Sequence, residues 1–305
     1  MTEKASVLTY GLLYQQFLTI YFPAMTRNNK FSKLKKDLAR MGQVIIAYSG
    51  GVDSTFLLKA ASLSGLNKII AVTSSSESLP GEELSFAKTM TSSLNIEHRI
   101  IKTEELNDKK YADNPPDRCY YCKKELFSKL KGLAGQENIS FILDGTNADD
   151  IQDWRPGRRA AEEFGVYSPL LNAGLKKEEI REISRTFGLP TWNKPAAPCL
   201  SSRFPYGQAI TAGALERVNR AEGFIRKFGL KELRVRVHED IARIEVLPED
   251  FPILTDNSIR KEIVAFLNSL GYRYITLDLQ GFRSGSLNKS VHELCEKDSK
   301  EKKLF

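Results

Sequence analysis

The sequence contains no uninterrupted apolar run of membrane-spanning length, no second C-x-x-C, no closely spaced histidine pair and no low-complexity tract. Each absence removes a class of protein. The most apolar stretch, Val7 to Met25, is broken by Gln15-Gln16 and is followed by no small-residue cleavage site. It is too short and too polar for a membrane span; a poorly made signal-like segment, a short docking helix and an upstream start are the alternatives, and residues 1–25 are expected to be a dispensable extension of a cytoplasmic protein. Four cysteines and three histidines in 305 residues leave a structural zinc site short of ligands. Nothing marks the chain as secreted, so structural disulfides are not expected.

A one-signed charge is also missing from the body of the chain. The formal charge is +7, but residues 1–50 hold seven Lys or Arg against two acids, and residues 283–305 hold six against four. The two ends carry the whole excess. A neutral middle argues against a nucleic-acid partner, which would draw its basic face from the folded body. What remains is a 41% apolar chain long enough for two globular domains.

Ser49-Gly50-Gly51-Val52-Asp53-Ser54 is the most informative segment present. It lies between the β-branched run Val44-Ile45-Ile46-Ala47-Tyr48 and the helix-like Thr55-Phe56-Leu57-Leu58-Lys59-Ala60-Ala61. Glycines let the backbone turn sharply and approach a ligand. Amide groups at the helix start then point at one spot and favour negative charge there. The segment has no lysine and no third glycine, so it is neither a Walker loop nor a G-x-G-x-x-G dinucleotide turn. Asp53 is expected either to cap the helix or to help hold a metal ion.

Beyond this loop strands and helices alternate. Strands are predicted at Lys68–Thr73 (ending in Ser74-Ser75-Ser76), His98–Ile101 and Ser140–Leu143, with helices at Glu82–Leu94, Cys119–Leu133 and Lys176–Phe187. That order predicts an α/β domain with a parallel sheet, whose ligands sit at the carboxyl ends of strands. Pro190, Pro195, Pro198 and Pro205 keep the following stretch irregular. From Thr211 the order changes. A helix (Leu215 to Phe228), alternating strands at Leu233–Val237 and Ile241–Leu247, a helix (Ile259 to Leu270) and a strand (Tyr274 to Leu279) suggest a smaller α+β domain. The expected division is 26–205 for the nucleotide domain and 206–305 for a substrate-binding or oligomerisation domain.

Cys119 and Cys122 fall in Arg118-Cys-Tyr-Tyr-Cys-Lys123, and Cys199 in Pro198-Cys-Leu-Ser-Ser-Arg203. The spacing alone leaves isolated thiols, a redox pair, or an iron–sulfur cluster with three thiolates and one open iron. Cys295 sits near the charged tail and is given no role. In Leu233-Arg234-Val235-Arg236-Val237-His238, alternation puts Arg234, Arg236 and His238 on one strand face. Converging arginines suit a phosphate, and a solvated strand face is the ordinary alternative.

Together these residues resemble the LarE family of the ATP pyrophosphatase superfamily. The likeness runs from about Phe31 to about Leu279. It includes the Ser49–Ser54 loop, Asp117-Arg-Cys-Tyr-Tyr-Cys-Lys123, Leu143-Asp-Gly-Thr-Asn-Ala-Asp-Asp150, Trp154-Arg-Pro-Gly157 and Pro198-Cys-Leu-Ser-Ser-Arg203. The resemblance implies an enzyme that adenylates a carboxylate of pyridinium-3,5-biscarboxylic acid mononucleotide with ATP and Mg²⁺, releases pyrophosphate and inserts sulfur. It implies ATP contacts at Ala47, Ser49, Gly50, Gly51, Asp53, Ser54, Ser74, Gly145 and Thr146. For the substrate phosphate it implies Arg234 and Arg236, with Glu222 at an acidic functional position and Arg203 as a further candidate. In one branch of the family the residue matching Cys199 gives up its sulfur. In the other, three cysteines hold a [4Fe-4S] cluster, and Cys119 and Cys122 stand at the positions that mark it. A homo-oligomer and an unidentified sulfur donor complete the implied picture. Trp154 and Trp192 are candidates for stacking on a ring. The competing classes are a tRNA-thiolating enzyme, an ammonia-using synthetase and a nucleotide-binding module without catalysis.

Overall fold

A computed structural model describes residues 29–151, 155–230 and 232–283. The expectations for residues 1–25, Trp154 and Cys295 therefore lie outside the described residues. The fold comprises two compact units. The first gathers the described residues up to Ser75 with Gly81–Thr103 and Lys123–Ala196. The second gathers Ser76–Pro80, Glu104–Cys122 and the described residues from Ala197 onward.

The first unit is α/β. Strands β1 (Gln43–Ala47), β2 (Lys68–Ser75), β3 (Glu97–Lys102) and β4 (Phe141–Leu143) form a parallel sheet in the order β3-β2-β1-β4. Val44, Ile45 and Ile46 of β1 are all buried, as expected of a central parallel strand covered on both faces. Helix α1 (Asn29–Ala39) buries Phe31, Leu34 and Leu38, one stripe at helical spacing, and leaves its lysines outside. Helix α2 (Val52–Ser62) is buried along most of its length. Helix α3 (Gly81–Ser93) follows β2, and α4 (Arg118–Glu137) precedes β4. At the start of helix α5 (Lys177–Thr186) the Lys176 amide donates to Glu179 Oε2 at 2.9 Å. Its Ile180 and Ile183 join the same core as Phe31 and Phe56.

The second unit is α+β with a mixed sheet. β5 (Leu233–His238) and β6 (Ile241–Val246) are antiparallel, and β7 (Tyr274–Leu277) adds to β6 in parallel. Helices α6 (Ala212–Arg226) and α7 (Asn257–Ser269) contribute Leu215, Val218, Ile225, Ile263 and Leu267 to its core. Thr211 and Asp256 cap them through the amides of Ala214, and of Ser258 and Ile259. No helix among the described residues is long and apolar enough to cross a membrane.

Candidate active site

The Ser49–Ser54 loop lies where the strand order reverses. β1 is flanked by β2 on one side and β4 on the other, so the segments leaving β1 and β4 open a crevice at their carboxyl ends. Ala47 ends β1 and Gly145-Thr146 follow β4. Ser74 lies inside β2, which runs through Ser75 rather than stopping at Thr73. Gly50 adopts φ +70°, a conformation that glycine alone enters readily.

The cap that is one of the two roles expected of Asp53 is not what opens α2. The N-cap is Gly51, and no side chain caps the helix. The two serines bind each other instead: Ser49 Oγ and Ser54 Oγ are 3.1 Å apart, and the Ser49 amide donates to Ser54 Oγ at 3.3 Å. Ser54 Oγ also reaches the Gly51 carbonyl at 3.3 Å. These bonds hold the loop in a closed curl. A Cβ on Gly145 would lie 3.0 Å from the Ser54 nitrogen and 3.2 Å from its Cα. The β4 turn therefore packs directly on the start of α2.

Asp53 faces that turn. Its carboxylate is ion-paired with Lys177 and accepts from Asn147 Nδ2 at 3.3 Å. Asp144 folds its own turn by accepting from the Thr146 amide (3.1 Å) and hydroxyl (2.8 Å), and from Ser168 (2.7 Å). Asp150 accepts from the Asn147 amide at 3.0 Å and pairs with Arg155. Burial raises its carboxyl above the usual range despite those partners. Lys194 reaches the loop from another direction, donating to the Gly50 carbonyl at 3.2 Å and to Glu83 at 2.6 Å. A loop with no lysine in its sequence thus has two brought to it by the fold. Trp192 is 37% exposed, with the Arg185 guanidinium over its ring at 5.1 Å.

In the second unit, Cys199 precedes a short 3₁₀ turn, Leu200–Arg203, that is held from several sides. The Leu200 amide donates to the Ser78 carbonyl at 2.8 Å, and Ser201 Oγ meets the buried Tyr111 hydroxyl at 2.6 Å. Arg203 Nη1 donates to the carbonyls of Pro198 (2.8 Å) and Cys199 (3.2 Å). The same guanidinium makes a two-pronged pair with Glu222, Nε to Oε1 and Nη2 to Oε2, both 2.8 Å. Glu222 also accepts from the Val235 amide (3.0 Å) and Arg226 (3.1 Å). Burial alone would raise its pKa; Arg203, the Val235 amide and Arg226 outweigh that and leave it lowered. Arg203 and Glu222 are thus engaged with each other and with the cysteine-bearing turn.

Arg234 and Arg236 are not on a solvated strand face: they are only 6% and 7% exposed. Arg236 donates to Glu245 at 3.0 Å and to the Ser202 carbonyl at 2.7 Å. Arg234 donates to the Leu233 carbonyl and stacks over Phe282. Burial, followed by the charge of Arg203, brings its pKa down to about 10. His238 is likewise lowered by burial and by Arg243.

All three of Cys119, Cys122 and Cys199 belong to this second unit. Cys119 is exposed, the other two partly so. Burial raises the Tyr111 phenol, and the neighbouring Cys199 and Cys122 thiols add to the rise. Tyr206 is raised by burial too, with contributions from Cys119 and Cys199. Among the described residues, no three His, Cys, Asp or Glu side chains are gathered at metal-binding spacing.

Residues that the sequence reading left without a role include Asn147, Lys177, Lys194 and Tyr111. Asn147 lay inside a quoted motif. The other three carry no local signal, since their partners are 124, 144 and 90 residues away.

No family model matches the chain. It is 43% identical over 262 residues to an uncharacterized protein of Synechocystis sp., covering 86% of this chain and 97% of the relative. It is 40% identical over 261 residues to the pyridinium-3,5-bisthiocarboxylic acid mononucleotide synthase of Lactiplantibacillus plantarum, covering 84% and 91%. An uncharacterized protein of Methanocaldococcus jannaschii is 30% identical over 258 residues, 84% and 98%. With identity of this degree along nearly the whole of each relative, the chain belongs to the LarE family of sulfur-transferring enzymes.

Proposed function

We propose that this chain adenylates a carboxylate of pyridinium-3,5-biscarboxylic acid mononucleotide with ATP, releases pyrophosphate and converts the acyl-adenylate into a thiocarboxylate. The observation that carries this reading is the 40% identity to the L. plantarum synthase, joined to a phosphate-type loop at the carboxyl end of a central parallel strand. In this reading the curled Ser49–Ser54 loop binds the leaving pyrophosphate through backbone amides and the Ser49 and Ser54 hydroxyls. Asp53 would hold a Mg²⁺ ion brought by the nucleotide, and the ion would neutralise charge on the leaving pyrophosphate. Ala47, Ser74, Gly145 and Thr146 line the nucleoside. Arg234 and Arg236 bind the substrate phosphate, and their burial makes such a charge-assisted contact stronger than it would be in water. Arg203, braced by Glu222, sets the Cys199 turn.

For the sulfur step, the three thiols have the donor chemistry for an iron–sulfur cluster, although among the described residues they are not gathered at metal-binding spacing. Cys119, Cys122 and Cys199 would hold it, and it would supply an iron-bound sulfide as the nucleophile. The rival source is Cys199 itself. Its thiolate attacks the acyl carbonyl and expels AMP. Removal of the Cα proton then breaks the Cβ–S bond, so that the thiocarboxylate leaves and dehydroalanine remains.

The test is incubation of the purified chain with ATP, Mg²⁺ and the pyridinium acid, following pyrophosphate, acyl-AMP and thiocarboxylate. Formation of acyl-AMP supports the reading, and its absence with authentic substrate overturns it. Anaerobically prepared protein is expected to contain iron and sulfide. Full activity without iron, with Cys199 lighter by the mass of hydrogen sulfide, would assign the sulfur to Cys199.

A further inference from the structure

We propose that Lys177 is the phosphate-binding cation of the nucleotide cradle, its ammonium passing from Asp53 to the polyphosphate when ATP binds. The inference rests on the ATP reading above and goes beyond it by assigning a residue outside the loop. Asp53 is the only charged side chain in Ser49–Ser54, and it is an anion placed where a polyanion must approach. Unscreened, it would oppose binding. The fold answers with a lysine brought from 124 residues away, whose ammonium pairs with Asp53 Oδ2.

Its backbone is fixed from the same side. The Lys177 amide donates to Asp149 Oδ2 at 2.8 Å, the Asp149 amide to Asn147 Oδ1 at 2.9 Å, and Asn147 Nδ2 to Asp53 Oδ1 at 3.3 Å. The β4 turn, the start of α5 and the start of α2 therefore form one connected group around the crevice. Lys177 is also the first residue of α5, where the helix dipole disfavours a cation. Helix stability does not account for a lysine there.

Lys194 is the instructive contrast. Its side chain is only 18% exposed, and its ammonium is committed to Glu83 and to the Gly50 carbonyl, above the Phe86 ring at 3.9 Å. It fixes the loop. The Lys177 side chain is 39% exposed and has a long flexible stem, so its ammonium can exchange one anionic partner for another. Transfer of the ammonium to a β- or γ-phosphate leaves Asp53 with Asn147 and the incoming Mg²⁺.

The experiment is equilibrium binding of ATP and of AMP, each with Mg²⁺, to the full chain and to Lys177→Met, Lys177→Arg and Asp53→Asn variants. Loss of a charge-assisted contact is expected to weaken ATP binding to Lys177→Met about tenfold or more, while AMP binding changes less than about twofold. Lys177→Arg should recover most of the loss. Asp53→Asn, measured in EDTA, should bind ATP at least as tightly as wild type, because the ammonium is released. Unchanged unfolding midpoints without nucleotide exclude a folding defect. Wild-type ATP affinity in Lys177→Met, or an equal loss for AMP and ATP, overturns the assignment while leaving the ATP reading standing. Failure of the unsubstituted protein to bind ATP overturns both.

Discussion

Replacing Glu222 by glutamine tests whether the cysteine-bearing turn is held by a buried charge pair. The Arg203 and Glu222 side chains are 2% and 1% exposed, and both guanidinium–carboxylate contacts are 2.8 Å. Glutamine keeps the volume and one acceptor for the Val235 amide but leaves the guanidinium buried without its counter-charge. Breaking such a pair from one side costs about 3–5 kcal/mol. Arg226 also releases its contact, but it is partly exposed and contributes little. Urea unfolding is the assay. With a slope of about 1–3 kcal/mol/M the midpoint should fall by at least ~1 M. Combining Glu222→Gln with Arg203→Met should restore much of the loss, since the orphaned charge is then gone. A double variant destabilised by the sum of the two single losses would refute the reasoning. The pH dependence has a definite sign. Glu222 has a lowered pKa in the folded chain, so its contribution is full above the unfolded glutamate value near ~4.3. It is lost as pH falls through the lower folded value. The gap between wild type and Glu222→Gln should therefore narrow on acidification below that point, and a gap that widens would also refute the pairing.

Two further substitutions separate the two halves of the chemistry. Gly145→Ala places a Cβ 3.0 Å from the Ser54 nitrogen, and a helix backbone cannot yield as a side-chain tip can. The overpacking should destabilise by about 1–3 kcal/mol and weaken ATP binding, checked by thermal unfolding and nucleotide titration. Cys199→Ala should abolish thiocarboxylate formation while pyrophosphate release continues, measured in one reaction by mass spectrometry and a pyrophosphate assay. Loss of both activities would remove Cys199 from the sulfur step.

What the sequence disclosed follows from how local each signal is. The parallel sheet was legible because Val44-Ile45-Ile46 and Ile69-Ile70-Ala71-Val72 are short apolar runs separated by a helical segment, and the chain order itself dictates a crossover. The loop was legible because two glycines between strand and helix leave few alternatives. The role of Asp53 was not. Aspartate prefers caps, yet Gly51 takes the cap and Asp53 pairs with Lys177. A residue's preference is a local quantity, whereas the field of a lysine 124 residues away is a tertiary one. The same reason hid Lys194, Tyr111 and the bracing of Arg203 by Glu222.

The alternation in β5 was read correctly as a pattern, but the pattern does not say what covers each face. Polar residues at every second position suggest water on that side. Here Arg234 and Arg236 are buried, and Arg236 donates to the Ser202 carbonyl of the cysteine-bearing turn. Guanidinium groups tolerate that position because their donors find carbonyls and carboxylates at hydrogen-bonding distance. Arg203 pairs with Glu222 and Arg236 with Glu245, all buried, and Arg234 is lowered by burial and then by the charge of Arg203. A guanidinium held out of water gains more from an incoming anion than an exposed one would. Because Arg236 also holds Ser202, an anion drawing on that guanidinium acts on the turn that carries Cys199. If Arg236 binds the substrate phosphate as proposed, phosphate recognition and the position of the Cys199 turn share a residue.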